Sequence, residues 1–275
     1  MNRGIRLLPA ALCLVTASCA PRLITLPSGA GSAFPEYASA YDQATEACRG
    51  IRTMAAVLSI SGRAYNQRFR AKIDAGFEAP ARVRLEFPAP GKPFFTYVAV
   101  GDEATLLLAR EGRVLRHAPP AATLEALAGV AIGPEDLRTI VAGCGLATEP
   151  PTRARGFGAD WAAVDSGPTT TWLQRIDGVW RIAAASRANT GRGFTGPFEV
   201  RYADFVGGRP STIRLRTLAD YSVGGQRAAS TDLTIRLSQV DINEPFGEGV
   251  FQVDVPPDAT PMTLEQLREA GPLGR

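Results

Sequence analysis

Gln67-Arg68-Phe69-Arg70-Ala71-Lys72-Ile73-Asp74-Ala75 decides how this chain is read. Phe69, Ala71, Ile73 and Ala75 alternate with Arg68, Arg70, Lys72 and Asp74. Only an extended strand sends successive side chains to opposite sides, and only a sheet with one covered and one wet face calls for this period. The segments on either side repeat it. In Ala56–Gly62, Ala56, Leu58 and Ile60 alternate with Ser59 and Ser61; in Ala81–Phe87, Val83, Leu85 and Phe87 alternate with Arg82, Arg84 and Glu86.

Outward from this core the same grammar continues. Upstream, Tyr37, Tyr41, Ala44, Ala47/Cys48 and Ile51 recur at three- and four-residue steps, which predicts a helix from Pro35 to about Thr53. Downstream come strands over Phe94–Val100, Ala104–Ala109 and Arg113–His117, separated by Pro88-Ala89-Pro90-Gly91, Gly101-Asp102 and Glu111-Gly112. After Pro119-Pro120, Leu124, Leu127 and Ala128 predict a short helix ending at Gly129. A second starts at Pro134, with Glu135 and Asp136 at its positive end, and stops at Gly143. A loose Pro/Gly/Arg stretch is expected to about Gly158. Strands then return over Thr170–Ile176, Val179–Ala185, Pro197–Phe205, Ser211–Thr217 and Ser230–Asp241, with Asp177-Gly178 and Gly207-Gly208 as hairpin turns. A last helix spans Thr263–Glu269, and Thr263 with Gln266 has the spacing of a capping box.

About ten strands on short connections make an antiparallel meander, and each strand has one apolar face to bury. The helices are too few to sandwich so wide a sheet. The expected fold is mainly β (α+β), a half-open antiparallel β-barrel with an N-terminal helix and lid helices in its concavity.

The chain opens with Arg3 and Arg6, an apolar run Leu7–Val15, and Thr16-Ala17-Ser18-Cys19. This is the plan of a secretory signal, and the run is too short for a bilayer, which needs about 20 apolar residues. Ending on Cys19, it resembles a bacterial lipobox. Residues 1–18 then form a lipoprotein signal peptide, Cys19 the lipidated N-terminus, 19–34 a flexible tether and 35–275 a single domain. Ala20 after the cysteine favours the outer membrane by resemblance to enterobacterial sorting rules. Losing Arg3 and Arg6 takes the balance from 30 basic against 27 acidic residues to 28 against 27. Such near-neutrality argues against nucleic acid as partner, and attachment to a membrane falls to the lipid. With Cys13 in the signal and Cys19 as anchor, Cys48 and Cys144 remain. An oxidising compartment invites a disulfide between them, the alternative being two separate buried thiols.

One long stretch carries a family resemblance. It runs from Ala81-Arg82-Val83-Arg84-Leu85-Glu86-Phe87 through Pro88–Pro93, Thr105-Leu106-Leu107-Leu108 and Gly112-Arg113-Val114. It ends in the helices Leu124-Glu125-Ala126-Leu127-Ala128-Gly129-Val130 and Ile132-Gly133-Pro134-Glu135-Asp136-Leu137-Arg138. In order of elements this resembles the LolA/LolB outer-membrane lipoprotein localisation family, its LolB receptor branch most. Leu58-Ser59-Ile60-Ser61-Gly62-Arg63 matches the start. The resemblance implies an apolar concavity that holds lipid or lipoprotein acyl chains. Its wall would be Leu58, Ile60, Phe69, Ile73, Val83, Leu85 and Val98, and its lid Leu124, Leu127, Leu137 and Ile140. The plain alternative is that this face is simply core.

In the LolB branch a protruding hairpin carries an exposed leucine for membrane contact; here Pro90, Phe94 and Phe95 occupy that region. The resemblance further implies a lipid-anchored monomer on the periplasmic face of the outer membrane, served by a LolA-like carrier. A non-transporting envelope lipoprotein, sensor or assembly subunit, is the alternative.

Recognisable catalytic patterns are missing from the sequence. His117 is the one histidine, and there is no CxxC, HExxH, phosphate loop or nucleophile elbow. No enzyme, cofactor or metal is expected. The arginine-rich strand faces read as solvated outer surface or, alternatively, as a contact for acidic head groups.

Overall fold

The computed structural model describes residues 24–65, 67–146, 149–188, 197–217, 222–223, 226–227 and 231–270. The expected signal segment and Cys19 lie outside them.

A sheet of fifteen strands organises these residues. Strand β1 (Ser32–Ala33) precedes helix α1 (Tyr37–Arg49). A first meander follows through β2 (Thr53–Ala64), β3 (Gln67–Glu78), β4 (Arg82–Phe87), β5 (Phe95–Val100), β6 (Glu103–Leu108) and β7 (Arg113–Ala118). Helices α2 (Pro120–Ala128) and α3 (Pro134–Ala142) interrupt it. A second meander runs through β8 (Arg153–Phe157), β9 (Trp161–Ser166), β10 (Thr169–Ile176), β11 (Val179–Arg187), β12 (Phe198–Val206) and β13 (Arg209–Thr217). The short pair β14 (Ser222–Val223) and β15 (Gln226–Arg227) stands apart. Strand β16 (Asp232–Ile242) then inserts between β13 and β2 and joins the two meanders. β17 (Thr260–Pro261) adds in parallel beside β7, and α4 (Leu264–Ala270) ends the described chain. Every other pairing is antiparallel. The sheet does not close, with β1 and β17 as its edges.

Most expected elements are present, and the hairpin turns have the predicted chemistry. Asp177 and Gly178 both take positive φ (52° and 78°), the type I′ geometry that matches strand twist. The capping box at α4 closes in both directions, Gln266 N–H donating to Thr263 Oγ1 (3.3 Å) and Thr263 N–H to Gln266 Oε1 (3.1 Å).

Two expectations need correction. The stretch to Gly158 is not a loose connection, because β8 and β9 form a hairpin within and beyond it. Nor does the tether extend to residue 34. Ser32 and Ala33 pair with Gly156 and Arg155 of β8, and Phe34 packs edge-on against Trp180.

The helices lie on one face of the sheet. Helix α1 packs across β9–β11, α2 rests on β6 and α4, and α3 reaches β4 and β13, one strand from each meander. Their apolar sides and the inner side chains of the strands form one core. Cys48, at the end of α1, is disulfide-bonded to Cys144, just after α3, with Cα atoms 5.5 Å apart.

The opposite face is half covered. After β16 the chain crosses the outside of β3–β6 as a strap before reaching β7. Asn243 fastens its start, accepting from Arg52 N–H (2.8 Å) and donating to the Gly50 carbonyl (3.0 Å). Phe246 sits over Gly76, where a Cβ would come within 3.3 Å of its ring. Arg84 donates to the carbonyls of Val250 and Gln252 (both 3.0 Å). This segment is thus a clamp on the first meander.

Candidate functional site

Strand register fixes which side chains share the concave face. Leu237, Leu58 and Ile73 stand side by side on β16, β2 and β3, with Ile235, Ile60 and Ala71 in the next row. Ala75, Leu85, Tyr97 and Leu106 form another row across β3–β6, and Phe77, Val83, Ala99 and Ala104 another. The expected wall residues Leu58, Ile60, Phe69, Ile73, Val83 and Leu85 therefore face one concavity, and Leu124, Leu127, Leu137 and Ile140 pack against it from α2 and α3.

Val98 does not. It stands opposite Arg84 and Thr105, between Tyr97 and Ala99, which belong to the core. Its side chain goes to the outer face, where it and Val100 line a surface groove of about 500 Å³ with Phe251, Gln252 and Val253 of the strap. Phe95–Ala99 is buried on both parities because the core covers one face and the strap approaches the other, whereas Val100 at the strand end is exposed.

Burial divides the concave face in two. Leu58 (3% exposed), Ile73 (3%), Val83 (0%), Leu127 (3%) and Ile140 (1%) are closed to solvent, so the deep part is filled by protein side chains. Ile60, Phe69, Leu85 and Leu137 are half-buried on the same face, and so are Phe87, Leu237 and Leu264. Phe87 and Leu237 extend alternations already legible in their strands. Leu264 had no local signal, since α4 comes to this face through the strap.

Polar contacts hold the two covering helices. Tyr97 Oη donates to the carbonyl of Pro120 at the start of α2 (3.4 Å), and Tyr65 Oη to that of Glu125 near its end. Burial, with the Glu125 carboxylate second, pushes the Tyr65 phenol up to about 12. Asp136, in the first turn of α3, takes a two-pronged ion pair from Arg187 (2.5 and 2.8 Å), and Arg187 also donates to the Leu146 carbonyl (2.9 Å). At the other end Tyr202, wholly buried, donates to the Ile140 carbonyl (3.1 Å) and accepts from Gly145 N–H (3.2 Å). Gly143 closes α3 with φ 86°, and a Cβ there would meet Pro210 Cδ at 2.6 Å. Only glycine satisfies both the left-handed cap and the approach to β13.

The hairpin nominated for membrane contact is only partly exposed. Pro90 is at its open tip and Phe94 is 40% exposed, resting against Phe87 (4.7 Å between centroids) beneath the Arg110 guanidinium (3.8 Å). Phe95 is 3% exposed and belongs to the core, because the Phe94 N–H to Phe87 carbonyl bond closes the hairpin just before it. Among the described residues no group of His, Cys, Asp and Glu could hold a metal ion, and no helix is long and apolar enough to cross a membrane. His117 is exposed and lies 3.0 Å from Glu103.

An open, strongly antiparallel sheet with helices in its hollow has a match among solved structures. A LolA superfamily protein from Nitrosomonas europaea superposes with a TM-score of 0.54 at 11% identity, over 79% of this chain and 97% of that one. The fold is LolA-like. A domain from Vibrio parahaemolyticus assigned to outer membrane lipoprotein sorting matches at 0.49 with 10% identity, over 78% of this chain and 97% of the other. The Mycobacterium tuberculosis lipoprotein LppX matches at 0.31 with 11% identity, over 78% and 98%. No family model and no curated protein sequence matches the chain. In the LolA-like frame, the face that carries α1–α3 is the hollow of the half-barrel.

Proposed function

We propose that this protein takes up acyl chains of lipids or lipoproteins in the hollow of its half-barrel and serves lipoprotein localisation at the outer membrane. It acts by binding rather than by catalysis. Cys19 would be its lipidated anchor, the periplasmic face its place, and a LolA-like carrier its donor to a monomeric, LolB-like receptor.

The observation that carries this reading is the half-buried apolar set Ile60, Phe69, Leu85 and Leu137, continuous with the deep core yet reachable from solvent. An acyl chain entering there gains about 0.8 kcal/mol for each methylene it buries. Deeper entry displaces α2 and α3, whose side chains occupy the place in this state. The Cys48–Cys144 bridge supports an exported protein, since disulfides persist in oxidising compartments.

Native mass spectrometry of the protein purified without detergent tests the proposal. A co-purifying phospholipid or acylated peptide, displaced by a fluorescent fatty acid, is expected. Ile60→Glu combined with Phe69→Glu should weaken probe binding at least tenfold with the melting temperature kept within a few degrees. A clean apo mass and no probe uptake would sink it. The near-zero exposure of Leu58, Val83 and Ile140 favours the other reading in that event, a non-transporting envelope lipoprotein whose hollow is its own core.

A further inference from the structure

The outer face of the sheet carries charge unevenly. On β12, β13 and the start of β16 its cations are matched. Glu199 takes Arg201 and Arg216, and Asp232 takes Arg214. On β2, β3 and the middle of β16 they are not. Register places Arg63 beside Arg68, Ser61 beside Arg70 with Thr234 on its other side, and Ser59 between Lys72 and Arg236. The inward neighbours Leu58, Ile60, Ala71 and Ile235 put these residues on the face opposite the helices.

Arg63, Arg68, Arg70, Lys72 and Arg236 are all exposed, and none makes an ion pair among the described residues. With strands about 4.8 Å apart and alternate residues about 6.8 Å apart, five cations share an area of roughly 10 by 14 Å. Two carboxylates border it. Asp232, beside Arg63, is held by Arg214, and Asp74 follows Lys72 on β3.

Such a concentration of like charge opposes folding unless something else recommends it. Hydroxyls of Ser59, Ser61 and Thr234 lie between the cations, so the surface is wet, shallow and without an apolar centre. That suits many small anions spread on a plane better than a protein interface, whose centre is depleted of charge. The surroundings agree. Pairing between β3 and β4 stops at Asp74 and Glu86, so the 68–72 stretch of β3 runs on past the end of β4, and exposed Lys92 adds a further cation in the loop that follows Phe87. The strap covers the other half of the outer face, around Gly76, Arg84 and Val98, and these five cations are left exposed.

We propose that this patch is a docking surface for anionic phospholipid head groups, which lays the outer face of the sheet against the bilayer and turns the hollow away from it. It does not depend on acyl-chain uptake, and the two fail separately, one by vesicle binding and the other by probe binding.

The test uses residues 20–275, which retain every described element, with vesicles of phosphatidylcholine alone or with three-tenths phosphatidylglycerol. Sedimentation should show binding to the anionic vesicles only, released near 1 M salt, where screening reaches about 3 Å. Arg68→Gln, Arg70→Gln and Lys72→Gln together should weaken it roughly 100-fold, at about a fivefold loss per charge. Arg52→Gln, Arg116→Gln and Arg209→Gln remove as much charge away from the patch and should cost under fivefold. Equal binding to neutral vesicles, equal loss in the two triple variants, or no vesicle binding by the unaltered chain would each overturn the proposal. The last outcome would point instead to an acidic soluble partner.

Discussion

Cutting the bridge between α1 and α3 should destabilise the protein without rearranging it. Cys48 and Cys144 are 96 positions apart. A cross-link over such a loop removes unfolded-chain entropy of about 16 cal/mol/K, or about 4.7 kcal/mol at 25 °C. The folded state loses little in exchange. Cys48 Sγ lies 3.2 Å from the Thr45 carbonyl, so a serine there keeps a local acceptor. Arg138 still ties α3 to the Ile51 and Pro80 carbonyls (3.5 and 3.2 Å). The assay is urea unfolding of a Cys48→Ser, Cys144→Ser variant against the oxidised parent, followed by near-ultraviolet circular dichroism. With a slope of about 3 kcal/mol per M, the midpoint should fall by about 1.5 M while the native spectrum is retained. A shift below about 0.3 M would refute the reasoning, because the loop would then be closed in the unfolded chain by other contacts. A lost native spectrum would refute it differently, by making the bridge a part of the packing.

Two further changes probe the same frame. Tyr202→Phe leaves Gly145 N–H unpaired in a dry site, while the Ile140 carbonyl keeps its bond from Gly143 N–H (3.1 Å), and should cost about 1–3 kcal/mol in thermal or denaturant unfolding; a cost under 0.5 kcal/mol would mean that another group replaces the phenol. For Asp232, the Arg214 hydrogen bond holds the carboxyl below the usual carboxylate range, with burial opposing. The folded state thus binds that proton more weakly than the unfolded chain. The contribution is complete above the ordinary carboxylate pKa of about 4 and is lost as pH falls through the lowered value. Asp232→Asn should flatten the fall in stability below pH 4, and an unchanged acid limb would count against the pair.

How much was legible in the sequence depends on how each face is covered. Strands with one wet face announced themselves through alternation, as in Gln67–Ala75, and the sheet follows from them. β9 gave no such sign because Ala162, Ala163 and Val164 are buried on both parities, between β8 and β10. β8 was obscured by Gly156 and by the prolines before it. Val98 was misplaced for a related cause, since the strap that covers its side comes from residues near 251, far along the chain. Register corrects what composition could not: Val98 faces as Arg84 does, and the parity of Arg84 is plain. At the hairpin, aromatic character alone did not separate exposed Phe94 from buried Phe95; the closing hydrogen bond does. The helices were marked by their caps, but the bonds that pin them come from Tyr65, Arg187 and Tyr202, each distant in sequence.

The position of β16 governs the order in which the molecule can be finished. It lies between strands that begin near residues 53 and 209, yet is made after both. While the chain grows from its N-terminus, the first meander waits with the flank of β2 unpaired, and the second waits likewise at β13. Each is an apolar half-shell with a raw edge, the geometry that invites pairing with a neighbour. Completion comes in one late step, when a single strand seals both flanks and the strap behind it closes over the outside. Truncation anywhere before residue 242 should therefore yield aggregates rather than a smaller stable domain.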